Sequence, residues 1–412
     1  MSGEGSTGGR RRLAVTLVEF SPSGGLFQFA LQLGEALADR GHRVELVTGK
    51  DPEFRPGTSR LRLTPILPTW HPGSVALEPR LLRAARRPVR AARHVAAWLR
   101  LSAHLRRTRP DVVQWSAWRF AVDGWMVSRL ASRPDAPVMV DVAHAPEPMV
   151  PRGAPGSVAT RPLLRRTLAR AFGRMDAVFV LGERTRAQLL DAWPGVRRVD
   201  VIPHGDEGLF RRGVVPPPGR CPPSVLLFGT LTGYKGVDLL LDAFARVRAD
   251  LDRAELVIAG AVAADVDFAA VARRATALGG VTLRPGYVPS GEVAALFGAA
   301  RVVVLPYRLA NQSGVAHLAQ TFGRPVVATA VGDLPAAVLD GETGMVVPPD
   351  DPAALAAALV RLLRRPEEAD RMGRAGERRL AGSASWPRVA DRVAAVYQDL
   401  VESRDGGHVA AL

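Results

Sequence analysis

The chain has 412 residues, is 47% hydrophobic and 23% charged, and carries a formal net charge of +15. That length exceeds one ordinary core and the balance is that of a globular protein, so two domains are expected. A single cysteine, Cys221, excludes a disulfide framework and a cysteine-based zinc site, and no run of about 18 apolar residues offers a membrane span.

Residues 1–12 are basic without the apolar core of a signal peptide, and read as the disordered start of a cytoplasmic protein. From Leu13 short apolar runs alternate with helical patterns. LAVTLVEF, HRVELVTG, DVVQW, PVMVDVA, DAVFVLG and VDVIPHG predict strands within residues 13–213, and the helix FQFALQLGEALADRG stops at Gly41 as a C-cap does. The segment VVPPPGRCPPS, residues 214–224, cannot continue a helix or an inner strand and is placed as the domain linker. SVLLFG, AELVIAG, VTLRPG, RVVVLPY, PVVATA and GMVVPP repeat the alternation within residues 225–385, and residues 386–412 form a last helix and tail. The expected fold is α/β, two Rossmann-like domains each built on a doubly wound parallel sheet. Ligands of such sheets sit at the carboxyl ends of the strands, so the interdomain cleft is the expected site.

Composition singles out residues in the second half. Among 55 lysines and arginines only Lys50 and Lys235 are lysines, Asn311 is the one asparagine, and three of four tyrosines are Tyr234, Tyr287 and Tyr307. Three strand ends then stand out. Ser21-Pro22-Ser23-Gly24-Gly25 precedes a helix, where it is either a tight turn or a loop whose amides approach an anionic or sugar ligand. Gly229-Thr230 opens a loop carrying Lys235, placed to neutralise a leaving phosphate, although the spacing is not that of a Walker loop. Asn311-Gln312-Ser313-Gly314 opens a third helix, whose amides at Ser313, Gly314 and Val315 either cap it or cradle phosphate oxygens.

FGTLTGYKGVDLLLDAF, PVVATAVGDLPAAVLDGETGMVVPPDDPAALAAAL and VIPHGDEGLF together resemble the retaining glycosyltransferases of family 4, which have the GT-B fold. The resemblance covers nearly the whole chain and is most specific in the second domain. It implies a nucleotide-diphosphate sugar as donor and a small-molecule or lipid-linked hydroxyl acceptor. It also implies Lys235, with Gly24, Gly25, Gly229, Thr230, Ser313, Gly314 and Val315, on the donor diphosphate. Tyr287, Val288 and Gln320 fall to the nucleoside, His144 to the reacting centre, and the last helix to packing back on the N-terminal domain.

Three departures accompany it. Thr230 stands where the family has an arginine, Gly332-Asp333 stands for a Gly-Gly pair, and the Glu-x7-Glu motif would fall near Ala310 and Leu318, neither of them acidic. Asn311, Gln312 and Ser313 are therefore assigned to the donor sugar. A catalytically weak or inactive auxiliary subunit of a biosynthetic complex is the rival reading. No carboxylate pair is evident, so front-face substitution with the phosphate as base is expected rather than double displacement. No cofactor or metal is called for, because Asp265-Val-Asp267 reads as a helix start more than as a metal motif.

His144 also reads as a structural histidine, and His204 and His317 read as structural or hinge-adjacent. Trp115, Trp118 and Trp125 are placed around the cleft, Trp115 and Trp118 as acceptor-binding rings, with core packing as the alternative. Arg80 to Arg109 holds ten arginines and no acid. It predicts a helix with Arg90, Arg93, Arg100, His104 and Arg107 on one face opposite Val89, Ala92, Val95 and Leu99. That helix is either a solvated face or a surface for peripheral docking on an anionic membrane at its inner, cytoplasmic side. Nucleic-acid binding lacks a recognised module.

Overall fold

The computed structural model describes residues 11–68, 87–118, 120–147, 158, 161–211, 213 and 215–409. Residues 1–10, the Arg80–Arg86 part of the basic run, Val214 at the start of the linker and residues 410–412 lie outside them. The first half carries β1 (Ala14–Val18), β2 (Arg43–Gly49), β3 (Leu61–Leu67), β4 (Val112–Trp115), β5 (Val138–Val142), β6 (Ala177–Val180) and β7 (Val199–Val201). Helices α1 (Gly25–Asp39), α2 (Arg87–Thr108), α3 (Ala121–Ala131), α4 (Pro162–Phe172) and α5 (Glu183–Ala192) connect them. The second half carries β8 (Ser224–Phe228), β9 (Glu255–Gly260), β10 (Val281–Pro285), β11 (Val302–Leu305), β12 (Val326–Thr329) and β13 (Gly344–Val347). Its helices are α6 (Val237–Asp250), α7 (Phe268–Leu278), α8 (Ser290–Ala299), α9 (Gly314–Thr321), α10 (Leu334–Ala337), α11 (Pro352–Arg364), α12 (Pro366–Ser383) and α13 (Trp386–Val409).

Both sheets are parallel and doubly wound, in the orders β3-β2-β1-β4-β5-β6-β7 and β10-β9-β8-β11-β12-β13. In each, the first strand of the domain has neighbours that run outward on both sides. The ends of β1 and β8 are therefore the switch points where crevices open. Apart from β3, every strand falls on an apolar run that predicts it. LRLTPIL was not among the runs because arginine and proline interrupt its apolar pattern. Pro65 is tolerated there because β3 is an edge strand.

One face of the N-terminal sheet is covered by α1 and α13, where Phe27, Phe29, Leu31, Val393 and Tyr397 share a core. The other face lies under α2 to α5, with Trp98, Leu101, Trp115, Met126, Leu168, Phe172 and Leu189 in one cluster. The orientation of α2 corrects the predicted face. Trp98, Leu101 and Leu105 form the stronger apolar stripe and turn inward, carrying His94 and His104 with them. The two imidazoles find carboxylates, His94 Nε2 at 2.5 Å from Asp123 Oδ1 and His104 Nε2 at 2.9 Å from Glu45 Oε2, as buried polar groups require. Val89, Val95 and Leu99 are left 51%, 43% and 61% exposed, beside exposed Arg93, Arg100, Arg106 and Arg107.

Candidate active site

A cavity of about 360 Å³ lies between the domains. Its walls are the start of α1 (Gly24, Gly25, Gln28), the β8–α6 loop (Gly229, Thr230, Tyr234, Lys235), the first turn of α9 (Gly314, Val315), and Tyr287 and Val288 beyond β10. Chain segments separated by almost 300 positions thus converge because both sheets end at the same crevice.

Lys235 closes a single 3-10 turn, Gly233–Lys235, and is only 8% exposed. Two contacts shape the loop. The Gly233 N–H donates to Asp265 Oδ2 at 2.9 Å, and Gly236 sits at φ 65°, where a Cβ would lie 2.1 Å from the Pro306 carbonyl oxygen. Only glycine tolerates both that angle and that approach. Lys235 Nζ lies 5.4 Å from the centre of the Tyr307 ring, and among the described residues no carboxylate stands within ion-pair distance of it. Burial lowers the pKa of this amine, with Tyr234 opposing the shift. Among the described residues no arginine lines the cavity: Arg308, just beyond β11, is engaged by Asp238 and Asp350. In an arginine-rich chain, Lys235 is the one cationic side chain among the described residues that line the cavity.

Two carboxyl groups, those of Glu53 and Glu207, line that cavity. Glu53 accepts hydrogen bonds from the Gly24 N–H and Gln28 Nε2, each at 3.0 Å, and from the Tyr287 hydroxyl at 2.5 Å. The Gly24 amide is therefore already occupied by a carboxylate. Glu207 is 4% exposed; Gln32 Nε2 donates to it at 3.4 Å, and His204 Nδ1 lies 3.9 Å away. Burial, offset in part by Gln32, pushes the Glu207 carboxyl up to about 8. Sequence reasoning missed both acids. Glu53 belongs to no motif, whereas Glu207 carried a usable signal as the second acid after VIPHG at a strand end that faces the cleft.

The α9 approach differs from expectation. Ser313 caps α9 by position and is buried, and neither it nor Asn311, Gln312 or Gln320 lines the cavity. Gln312 Nε2 donates instead to the Leu181 carbonyl across the domain boundary at 3.0 Å. Beside it Asp333 accepts the N–H groups of Arg184 and Thr185 and the Thr185 hydroxyl, so its carboxylate sits at the positive end of α5. The Gly332-Asp333 departure thus works as an interdomain clamp, seated by the N–H of Asp333 on the Asn311 carbonyl. Gln320 Nε2 donates to the Ala337 carbonyl, and the residue does not line the cavity. Asp267 caps α7 through the Ala270 N–H, in keeping with a helix start. Among the described residues no group of three or more His, Cys, Asp or Glu side chains is placed to hold a metal ion.

His144 and Trp118 line a second cavity, about 350 Å³, at the carboxyl end of β5. Burial, with a smaller contribution from His204, pushes the His144 imidazole down to about 3, so it is neutral at physiological pH. Trp115 does not reach either cavity: it is 1% exposed, with its ring 5.4 Å from that of Trp98. Trp125 lies on the outer surface, half exposed, under the Arg129 guanidinium. The three indoles therefore do not cluster. His204 stacks on His317 at 4.6 Å and meets Phe29 edge-on, a structural place at the domain junction.

A family model described as Glycosyltransferase Family 4 matches residues 23–205, and one described as Glycosyl transferases group 1 matches residues 222–365. The D-inositol 3-phosphate glycosyltransferase of Geodermatophilus obscurus is 30% identical over 426 residues, covering 95% of this chain and 90% of that protein. The glycogen synthase of Mycobacterium tuberculosis is 29% identical over 409 residues, covering 94% of each. Among solved structures, the sucrose-phosphate synthase of Thermosynechococcus elongatus superposes with a TM-score of 0.73 at 23% identity, covering 95% of this chain and all of that one. HepE of Anabaena, in complex with UDP-glucose, gives 0.69 at 15% identity, covering 94% of this chain and all of that one.

Proposed function

The chain belongs to the glycosyltransferases of group 1 and family 4 and has their GT-B fold, and from that premise we propose that it moves a sugar from a nucleotide-diphosphate sugar to a hydroxyl acceptor with retention at the anomeric carbon. The observation that carries this reading is Lys235, a buried ammonium that has no carboxylate partner among the described residues and is the one cationic side chain among those that line the cavity. A diphosphate supplies the missing anion. The N–H groups of Gly314 and Val315, in the first turn of α9, lack acceptors within their own helix and add to the same field. Tyr287 and Val288 lie where the nucleoside would extend. HepE, whose complex contains UDP-glucose, suggests the donor class.

Departure of the diphosphate leaves positive charge on the anomeric carbon, so charge fixed near the phosphate lowers the barrier more than it stabilises the bound donor. The acceptor hydroxyl enters on the same face, and the departing phosphate oxygen takes its proton. Neither carboxylate is well suited as a nucleophile: Glu53 is held by three donors, and Glu207 keeps its proton at neutral pH. We keep the reaction independent of metal, because the positive field comes from the chain itself. The exposed Val89, Val95 and Leu99 among the arginines of α2 suit an anionic lipid surface, and docking there belongs to the same proposal. No described helix is long and apolar enough to cross a membrane.

The test is incubation with a panel of nucleotide sugars, followed by NMR of the anomeric proton of the product. Retained configuration supports the reading, and inverted configuration defeats front-face substitution. Absence of both transfer and donor hydrolysis across the panel favours the auxiliary-subunit reading.

A further inference from the structure

The second cavity contains a carboxyl group that the fold does not need. In register, Asp141 of β5 stands between Trp115 of β4 and Val178 of β6, with Val18 of β1 next beyond Trp115. Register partners in a parallel sheet share a face, so Asp141 occupies a position that the apolar layer under α2 to α4 gives to valine or tryptophan. It is 3% exposed, forms no ion pair among the described residues, and its Oδ1 has no hydrogen-bond partner. Burial, and then the nearby Glu19 carboxylate, push its carboxyl well above the usual range. A buried acid in that state is stabilised by whatever brings it a positive charge.

The surroundings define that partner. Asp141, Ser116, Trp118 and His144 line the cavity, and both Trp118 Nε1 and His144 Nε2 are buried without partners. An indole ring on the cavity wall is a favourable neighbour for a cation. Glu147 and Arg161 also line the cavity and offset each other in formal charge, which leaves Asp141 as the acid without a compensating cation among the described lining residues. Leu26 lines this cavity and Gly25 lines the one that holds Lys235, so the two meet at the first turn of α1. That position suits an acceptor.

We infer that this cavity binds the acceptor and selects a hydroxylated compound bearing an ammonium group, such as an aminocyclitol or amino sugar. The ammonium pairs with Asp141 beside the Trp118 ring, while neighbouring hydroxyls meet His144 Nε2 and Trp118 Nε1. This rests on the transferase reading above and deepens it, because it names the acceptor class. A neutral polyol of the same shape satisfies the two nitrogens but leaves Asp141 without a counter-charge.

Calorimetric titration with matched pairs tests it: scyllo-inosamine against scyllo-inositol, and glucosamine against glucose, on wild type and Asp141→Asn. Loss of a charge-assisted contact corresponds to about 10- to 100-fold in affinity. The wild type should bind an amine tighter than its hydroxyl partner by that factor, and Asp141→Asn should erase the difference while retaining affinity for nucleoside diphosphates. Equal affinity within each pair, a preference that survives Asp141→Asn, or no amine binding by the wild type overturns the inference. If Asp141→Asn does not fold, the wild-type pairs decide alone. Nucleoside diphosphates titrated into the same wild-type sample separate the two failures: their failure to bind defeats the donor reading, whereas their binding without an amine preference defeats only this inference.

Discussion

Lys235→Met separates two effects of one charge. In the free protein the ammonium is buried with no carboxylate partner, so it carries a desolvation cost that methionine removes while filling similar space. The melting temperature of the variant should stay level or rise. With a diphosphate bound, the same group contributes about 1.5–3 kcal/mol as a charged hydrogen-bond donor. The Coulomb attraction at about 4 Å and an effective dielectric near 20 is about 4 kcal/mol. A net loss of about 2–4 kcal/mol corresponds to roughly 30- to 1,000-fold in Kd, since each 1.4 kcal/mol is tenfold. Calorimetric titration with nucleoside diphosphates measures the second effect and differential scanning calorimetry the first. Unchanged diphosphate affinity would refute the reasoning; so would a markedly destabilised free protein, which would make Lys235 a structural residue.

The other predictions concern charge elsewhere in the cleft and on the surface. Glu207 keeps its proton in the folded state up to about pH 8, whereas the unfolded chain loses it near the ordinary carboxyl value of 4.5, so stability falls as pH rises through that window. The linkage amounts to at most ~5 kcal/mol, and Glu207→Gln, neutral throughout, should flatten the dependence of urea midpoint on pH between those limits. An unaltered slope would assign the pH dependence to other groups. Asp333→Ala removes an acceptor serving three donors on α5, so it should cost about 1.5–3 kcal/mol in denaturant unfolding and raise the donor KM by loosening domain closure. Unchanged stability and KM would deny the clamp. Sedimentation with anionic vesicles should pull the protein down in proportion to anionic lipid, less at high salt and less for Leu99→Ser, because Leu99 is the most exposed of the large apolar residues described in α2. Binding that ignores lipid charge would contradict the basic face.

The architecture was largely legible because parallel strands buried on both faces leave continuous apolar runs, and the glycines that punctuate them mark the strand ends. The Lys235 loop was legible for the same reason. Orientation was less so: α2 carries apolar residues on two stripes, and only the Asp123 and Glu45 partners show that the one with Trp98, His94 and His104 turns inward. The roles proposed for Gln312 and Gln320 followed from their nearness to α9. Helix phase and the Leu181 and Ala337 carbonyls decide where those amides point, and neither is written in local sequence. Glu53 and Asp141 could not be singled out, because an acid in a loop and an acid in a strand become notable only once their burial is known.

The most direct test of the central claim is a crystal structure with a nucleoside diphosphate bound. The account predicts the terminal phosphate within hydrogen-bonding distance of Lys235 Nζ and of the Gly314 and Val315 amides, with the base extending towards Tyr287. A nucleotide bound elsewhere, or phosphates in this cavity that make no contact with Lys235, would contradict it.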